Sequence, residues 1–218
     1  VIPGLVALLS ETKVTRQRVA SATYVATASS HTYSAQNFGA AATGRVMVAC
    51  LGSSGLSITQ TSVTIGGVTA TQIAQIASSA SPNQHIGIWA AVVPAGTSGD
   101  VVVNYSGSAV AGALELYALI GASGAAAFAS ATDNGTTLSG SINIPAGGVG
   151  IGAAYDAGAS VNGGAWTNLT EDADVTFGTT IHMYAASDEL NVAQTALAIS
   201  LVITSVNDPA FAVASWGP

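Results

Sequence analysis

The densest group of side chains able to do chemistry is Glu171-Asp172-Ala173-Asp174, three carboxylates within four positions after Trp166-Thr-Asn-Leu-Thr170. Alternating oxygen ligands in a loop suit Ca2+, but the full spacing and the glycine of an EF-hand loop are absent. The plainer reading of the same residues is a solvated acidic loop. Trp166, beside Gly163-Gly164, adds an apolar ring face of the kind that stacks on a sugar, so Trp166, Glu171, Asp172 and Asp174 form the candidate ligand-binding group. Trp89 and Trp216 lie in apolar runs and read as core or interface residues. Asp188-Glu189 is a second, smaller acidic pair.

Basic residues are fewer and more concentrated. Lys13, Arg16 and Arg18 stand within six positions, and only Arg45 follows them. Residues 1–18 therefore sum to +3 − 1 = +2 and the rest to +1 − 10 = −9, which gives the net −7. A short basic arm on an acidic body suggests that Lys13, Arg16 and Arg18 dock the chain onto an acidic partner. The body's own charge disfavours nucleic acid, and three cations make a small phosphate footprint.

No nucleophile elbow of the G-x-S-x-G type is present, and His31, His85 and His182 are far apart in sequence. All three read as strand-surface or strand-end residues. Cys50, the only cysteine, sits among Val48, Ala49 and Leu51 and reads as a small buried hydrophobe; an internal disulfide is excluded. The expectation is a protein without catalytic residues, without a resident metal and without an enzymatic role.

The elements that must position these residues are strands. Apolar alternation in Arg45 to Gly52 puts Val46, Val48 and Cys50 on one face and Met47, Ala49 and Leu51 on the other, as in a strand covered on both sides. Gly66-Gly67 divides Ser62 to Ala70 as a primed hairpin turn. Further strands are expected at His85–Val93, Asp100–Ser106, Gly112–Ile120, Leu138–Pro145, Val149–Tyr155, Ile181–Ala185, Ala196–Thr204 and Ala210–Trp216, with Asn134-Gly135 and Asn162-Gly163 as turns. A single helical turn is conceivable within Leu5 to Ser10. Gly150, Gly152 and Ala154 form a small-residue face that invites close approach of a second sheet or a neighbouring subunit.

These signals predict an all-β, antiparallel β-sandwich of two sheets, jelly-roll-like, with an extended N-terminal arm. The arm is drawn at residues 1–21 and the sandwich at 22–218, with a possible subdivision near 121–135, where Ala- and Gly-rich sequence forms a connection. The chain is 49% hydrophobic and only 7% charged, against roughly 25% charged in ordinary soluble domains. A surface of Ser, Thr, Asn, Gln and Gly suits a rigid extracellular or assembly-forming shell. No run of about 20 apolar residues offers a spanning helix. The apolar start, Val1 to Leu9, precedes its cations, the reverse of a secretory signal.

The runs SVTIGGVTATQI (Ser62 to Ile73) and GIWAAVVPAGTSGDVVVNYSG (Gly87 to Gly107) resemble β-sandwich proteins of tailed-bacteriophage virions, of the head-decoration, head-fibre and tail-adhesin kinds. The likeness spans roughly Val19 to Ile120. It implies a structural virion component on the particle surface, docked by its arm on the major capsid protein or another virion protein and assembled as a small homo-oligomer, with a trimer favoured. The alternative is a carbohydrate-binding adhesin module that takes a host glycan through Trp166 and the acidic group, with Ca2+ as an optional aid. A secreted hydrolase ranks last.

Overall fold

The computed structural model describes residues 12–79, 83–157, 164–177, 180–204 and 207–218. The possible turn within residues 5–10 and the Asn162-Gly163 turn lie outside them. Fifteen strands form among the described residues, in order β1 (Thr15–Asn37), β2 (Val46–Ser54), β3 (Gln60–Ile65), β4 (Val68–Thr69), β5 (Thr71–Ala77), β6 (Gln84–Val92), β7 (Ser98–Ile120), β8 (Ala129–Asp133), β9 (Leu138–Ile144), β10 (Gly148–Asp156), β11 (Gly164–Thr167), β12 (Thr170–Phe177), β13 (Ile181–Leu190), β14 (Gln194–Ile203) and β15 (Ala210–Trp216). Every pairing between them is antiparallel, so the all-β antiparallel class holds.

Three sheets stand where two were expected. The first has the order β4-β3-β7-β2-β6-β5 with β1 on the other side of β7; the second is β12-β13-β10-β15-β8; the third is β11-β14-β9. The first is built by residues up to Ile120 and the others by residues from Ala129, so the connection expected near 121–131 is where the chain changes sheets. A shared core of Val46, Val48, Cys50, Val149, Ile151 and Tyr155, among others, welds the two parts together.

Two strands of 23 residues, β1 and β7, run the length of the first sheet. One stretch of β7 pairs with β2 and another with β3, while β1 follows both stretches. Register shifts between Val25 and Ala28 and between Ala28 and Ser30 interrupt β1 where β7 passes from one neighbour to the other. Bulges of this kind let a strand turn a corner. The sheet thereby curls into a nearly closed barrel, and Met47 and Leu51 meet Val63, Val103 and Tyr105 in its interior. Strands β3 and β6 are not neighbours in the sheet, yet Trp89 Nε1 donates to Gln60 Oε1 at 2.7 Å across that interior.

The second sheet is covered on both faces. Every residue of β10 is buried: Val149, Ile151, Ala153 and Tyr155 face the first sheet, whereas Ala154 joins the core against the third. Side chains added at Gly150 and Gly152 would collide with Ile144, Leu169 and Trp166, so the small-residue face admits a second sheet of the same chain. The Gly66-Gly67 turn joins β3 and β4 with φ of +59° and +79°, as a primed turn requires.

The expected arm is shorter than drawn. Strand β1 begins at Thr15, so residues 15–21 are part of the first sheet. Just before it, Val14 N donates to Gly147 O at 2.8 Å, which lays residues 12–14 against the second part of the chain.

Candidate functional site at the N-terminal clamp

The three cations at the start of the chain converge on acids supplied by three distant strands. Lys13 Nζ lies 2.8 Å from Glu189 Oε2 on β13. Arg16 reaches Asp172 Oδ1 on β12 at 3.3 Å, donates through Nη2 to Ser187 O at 3.1 Å, and its backbone N–H donates to Glu189 Oε1 at 2.8 Å. Arg18 Nε meets Glu115 Oε2 on β7 at 2.6 Å, and Ser21 Oγ donates to Glu115 Oε1 at the same distance. Asp172 also accepts from Tyr117 Oη at 3.1 Å and from Ser187 Oγ.

The strands make this arrangement possible in a specific way. Register shifts in β12 between Glu171 and Ala173, placing one extra residue there. Such a bulge re-aims a side chain. Asp172 therefore turns toward Arg16 and Tyr117, while Glu171 and Asp174 stand near Tyr184 on the side of the third sheet. The acidic segment is a strand rather than the expected loop, and its three carboxylates do not converge on one point. Among the described residues, no three His, Cys, Asp or Glu side chains are grouped to hold a metal ion.

Electrostatics follow the contacts. The hydrogen bond to Glu115 raises the Arg18 guanidinium above its usual value despite burial. Burial works to raise the Glu189 carboxyl, but the Lys13 ammonium and the Arg16 N–H outweigh it and hold it below its usual value. Cys50 pairs across the sheet with Glu115. Burial first, then the Glu115 and Asp172 charges, push its thiol well up, which leaves it a buried apolar group. The cluster's chemistry is that of a clamp: charge-assisted bonds fix the entry of β1 to β7, β12 and β13 at once.

Trp166 departs from its expected place. It lies in β11, packs 5.8 Å from the Phe211 ring and covers Gly152, so its ring packs, partly buried, against the core between the second and third sheets. Its indole N–H is buried and has no hydrogen-bond partner among the described residues. The expected sugar platform therefore has its ring turned inward. Trp89 and Trp216 are core residues, as read from their surroundings.

Each histidine is held in a strand. His31 stacks on Tyr24 at 3.6 Å, His182 Nδ1 lies 3.0 Å from Thr176 Oγ1, and His85 is buried in β6. Across the sheet from His182 is Asp156, whose carboxyl is pushed up to about 6, chiefly by burial.

Sequence reasoning missed Glu115 and Ser187 as partners of the cations, Tyr117 as a partner of Asp172, and Arg45 as a structural residue. A lone acid inside the apolar run AGALELYALI was a usable signal, because an ionised group in a buried strand demands a partner. Arg45 is fully buried and donates to the carbonyls of Phe38, Gly39, Ala40, Val93, Ala95 and Gly96. A scan of known protein families and searches of curated proteins and of solved structures find no match to this chain.

Proposed function

We propose that this chain is a structural component of a virus particle, a decoration or head-fibre protein on the outer surface of a capsid, held there by the segment ahead of Thr12. The observation that carries this reading is the clamp. Lys13, Arg16 and Arg18 are bonded to acids on three strands from two sheets, so a pull on the preceding residues is spread over the whole body. A tethered shell protein needs such an attachment point; a freely diffusing one does not.

Two further features support it. All four basic residues have internal partners, so each positive charge is already engaged within the chain, although Lys13 and Arg18 stay at the surface. The body itself is a stack of sheets whose middle layer is buried on both sides, a rigid spacer. The partner is the major capsid protein or another virion protein, and the contact belongs to residues 1–11. Lys13, Arg16 and Arg18, expected from their charge to dock the chain on a partner, hold the tether to the body.

Deletion of residues 1–11 tests the reading, because that cut leaves the clamp and β1 intact. The truncated protein is expected to fold normally and to lose attachment to particles. Unchanged attachment would overturn it.

A further inference from the structure

We infer that the outer edge of β1 pairs with the same edge of a second copy, extending the first sheet across a two-fold axis through the segment Ala20–Val25. This goes beyond particle attachment and does not depend on it.

The inference comes from comparing the sheet edges. A free edge exposes unpaired N–H and C=O groups, and proteins blunt it with charge, brevity or a cover. Among the described residues, the other edges are blunted in these ways. Strands β4 and β11 have two and four residues. Strands β5 and β8 are tied to each other by Ser130 Oγ donating to Ile73 O and by Asn134 Nδ2, just past β8, donating to Ala77 O. Strand β9 is held by Ser215 Oγ donating to Asn143 O. Strand β12 carries Glu171, Asp172 and Asp174.

Strand β1 is broken by bulges between Arg18 and Ala20 and beyond Val25, but its Ala20–Val25 stretch has neither a bulge nor any of these protections. Among the described residues it pairs with β7 alone, and from Val19 to Asn37 it contains no Asp, Glu, Lys or Arg. Within it, Ala20 to Val25 keeps unbroken register with Leu116 to Ala111, so the backbone there is regular enough to template another strand.

The chemistry of this segment selects a second copy over a different partner. It carries no charge that could recognise an acidic or basic peptide, and two copies meet without like-charge repulsion although the whole chain is at −7. A two-fold axis perpendicular to the sheet makes the pair antiparallel and keeps each face on its own side. Tyr24 then stays toward the barrel interior, and Ser21, Thr23 and Val25 stay in solvent. Small side chains at Ala20, Ser21, Ala22 and Thr23 offer no obstacle to the approach. An edge accepts one partner, so the pairing closes at two copies.

Thr23 is exposed and near the axis, which makes it the position to test. The full chain is expected to run as a concentration-dependent dimer in light scattering coupled to size exclusion. Thr23→Lys and Thr23→Glu should each weaken dimerisation by about tenfold or more through like-charge juxtaposition, and an equimolar mixture should recover it as a heterodimer. That recovery also establishes that each variant is folded. A wild-type chain that stays monomeric at every concentration would overturn the inference, as would an undiminished dimer in Thr23→Lys or folded variants that fail to recombine.

Discussion

Arg18 and Glu115 meet at 2.6 Å across β1 and β7, with the glutamate side chain only 1% exposed. Truncating the arginine would leave a buried carboxylate with only Ser21 as a hydrogen-bond partner among the described residues. Arg18→Ala is expected to cost about 3 kcal/mol in urea unfolding at pH 7. Lys13→Ala removes a far more exposed pair, Lys13–Glu189, and should cost less than about 1 kcal/mol. Equal effects from the two variants would contradict the clamp as described.

Asp156 makes stability depend on pH with a defined sign. Its carboxyl titrates near 6 in the fold, against an ordinary value of 3.8, chiefly because it is buried; the backbone N–H groups of Asn207 and Ala157 oppose the shift. Between these values the folded chain binds more protons than the unfolded one, so this group's contribution to stability falls as pH rises from about 4 to about 6. Asp156→Asn removes that slope and is expected to stabilise the fold at pH 8 by about 1 kcal/mol or more. Denaturation midpoints at pH 4.5 and 8 for both proteins provide the check.

Arg45 is a polar staple without an acid. Its guanidinium reaches carbonyls of both the β1–β2 and the β6–β7 connections, and an ammonium offers fewer donors in a different geometry. Arg45→Lys should therefore destabilise by about 2 kcal/mol or more, since buried carbonyls lose their partners. A thermal melt unchanged from wild type would refute this role.

Gly52 and Tyr155 lock the first sheet to the second. A methyl group at Gly52 would overlap the Tyr155 ring, which is fully buried. Gly52→Ala is expected to cost about 1–3 kcal/mol by overpacking. The double variant Gly52→Ala with Tyr155→Leu should recover part of that loss, a coupling readable in a double-mutant cycle.

How much of this was legible in the sequence depends on hydrophobic contrast. Strands β2, β10 and β15 are apolar on both faces and were readable, as was the Gly66-Gly67 turn. Strand β1 was legible only as a Thr/Ser-rich strand starting at His31, because its alternation is Ala, Ser and Thr, with Tyr24 and Tyr33 its only buried residues. Strand β12 was hidden because acids dominate it and a bulge breaks its period at Asp172. The cations stood out as a group. Their acids did not, because Asp172 and Glu189 lie 156 and 173 positions from Arg16, and a single sequence carries no record of such pairings.

The central claim, that this is a structural protein of a particle surface, is tested most directly by quantitative mass spectrometry of purified virus particles from the source. The account predicts this chain in fixed stoichiometry with the major capsid protein, retained through washing and lost when residues 1–11 are deleted. Complete absence of the chain from particles would contradict it.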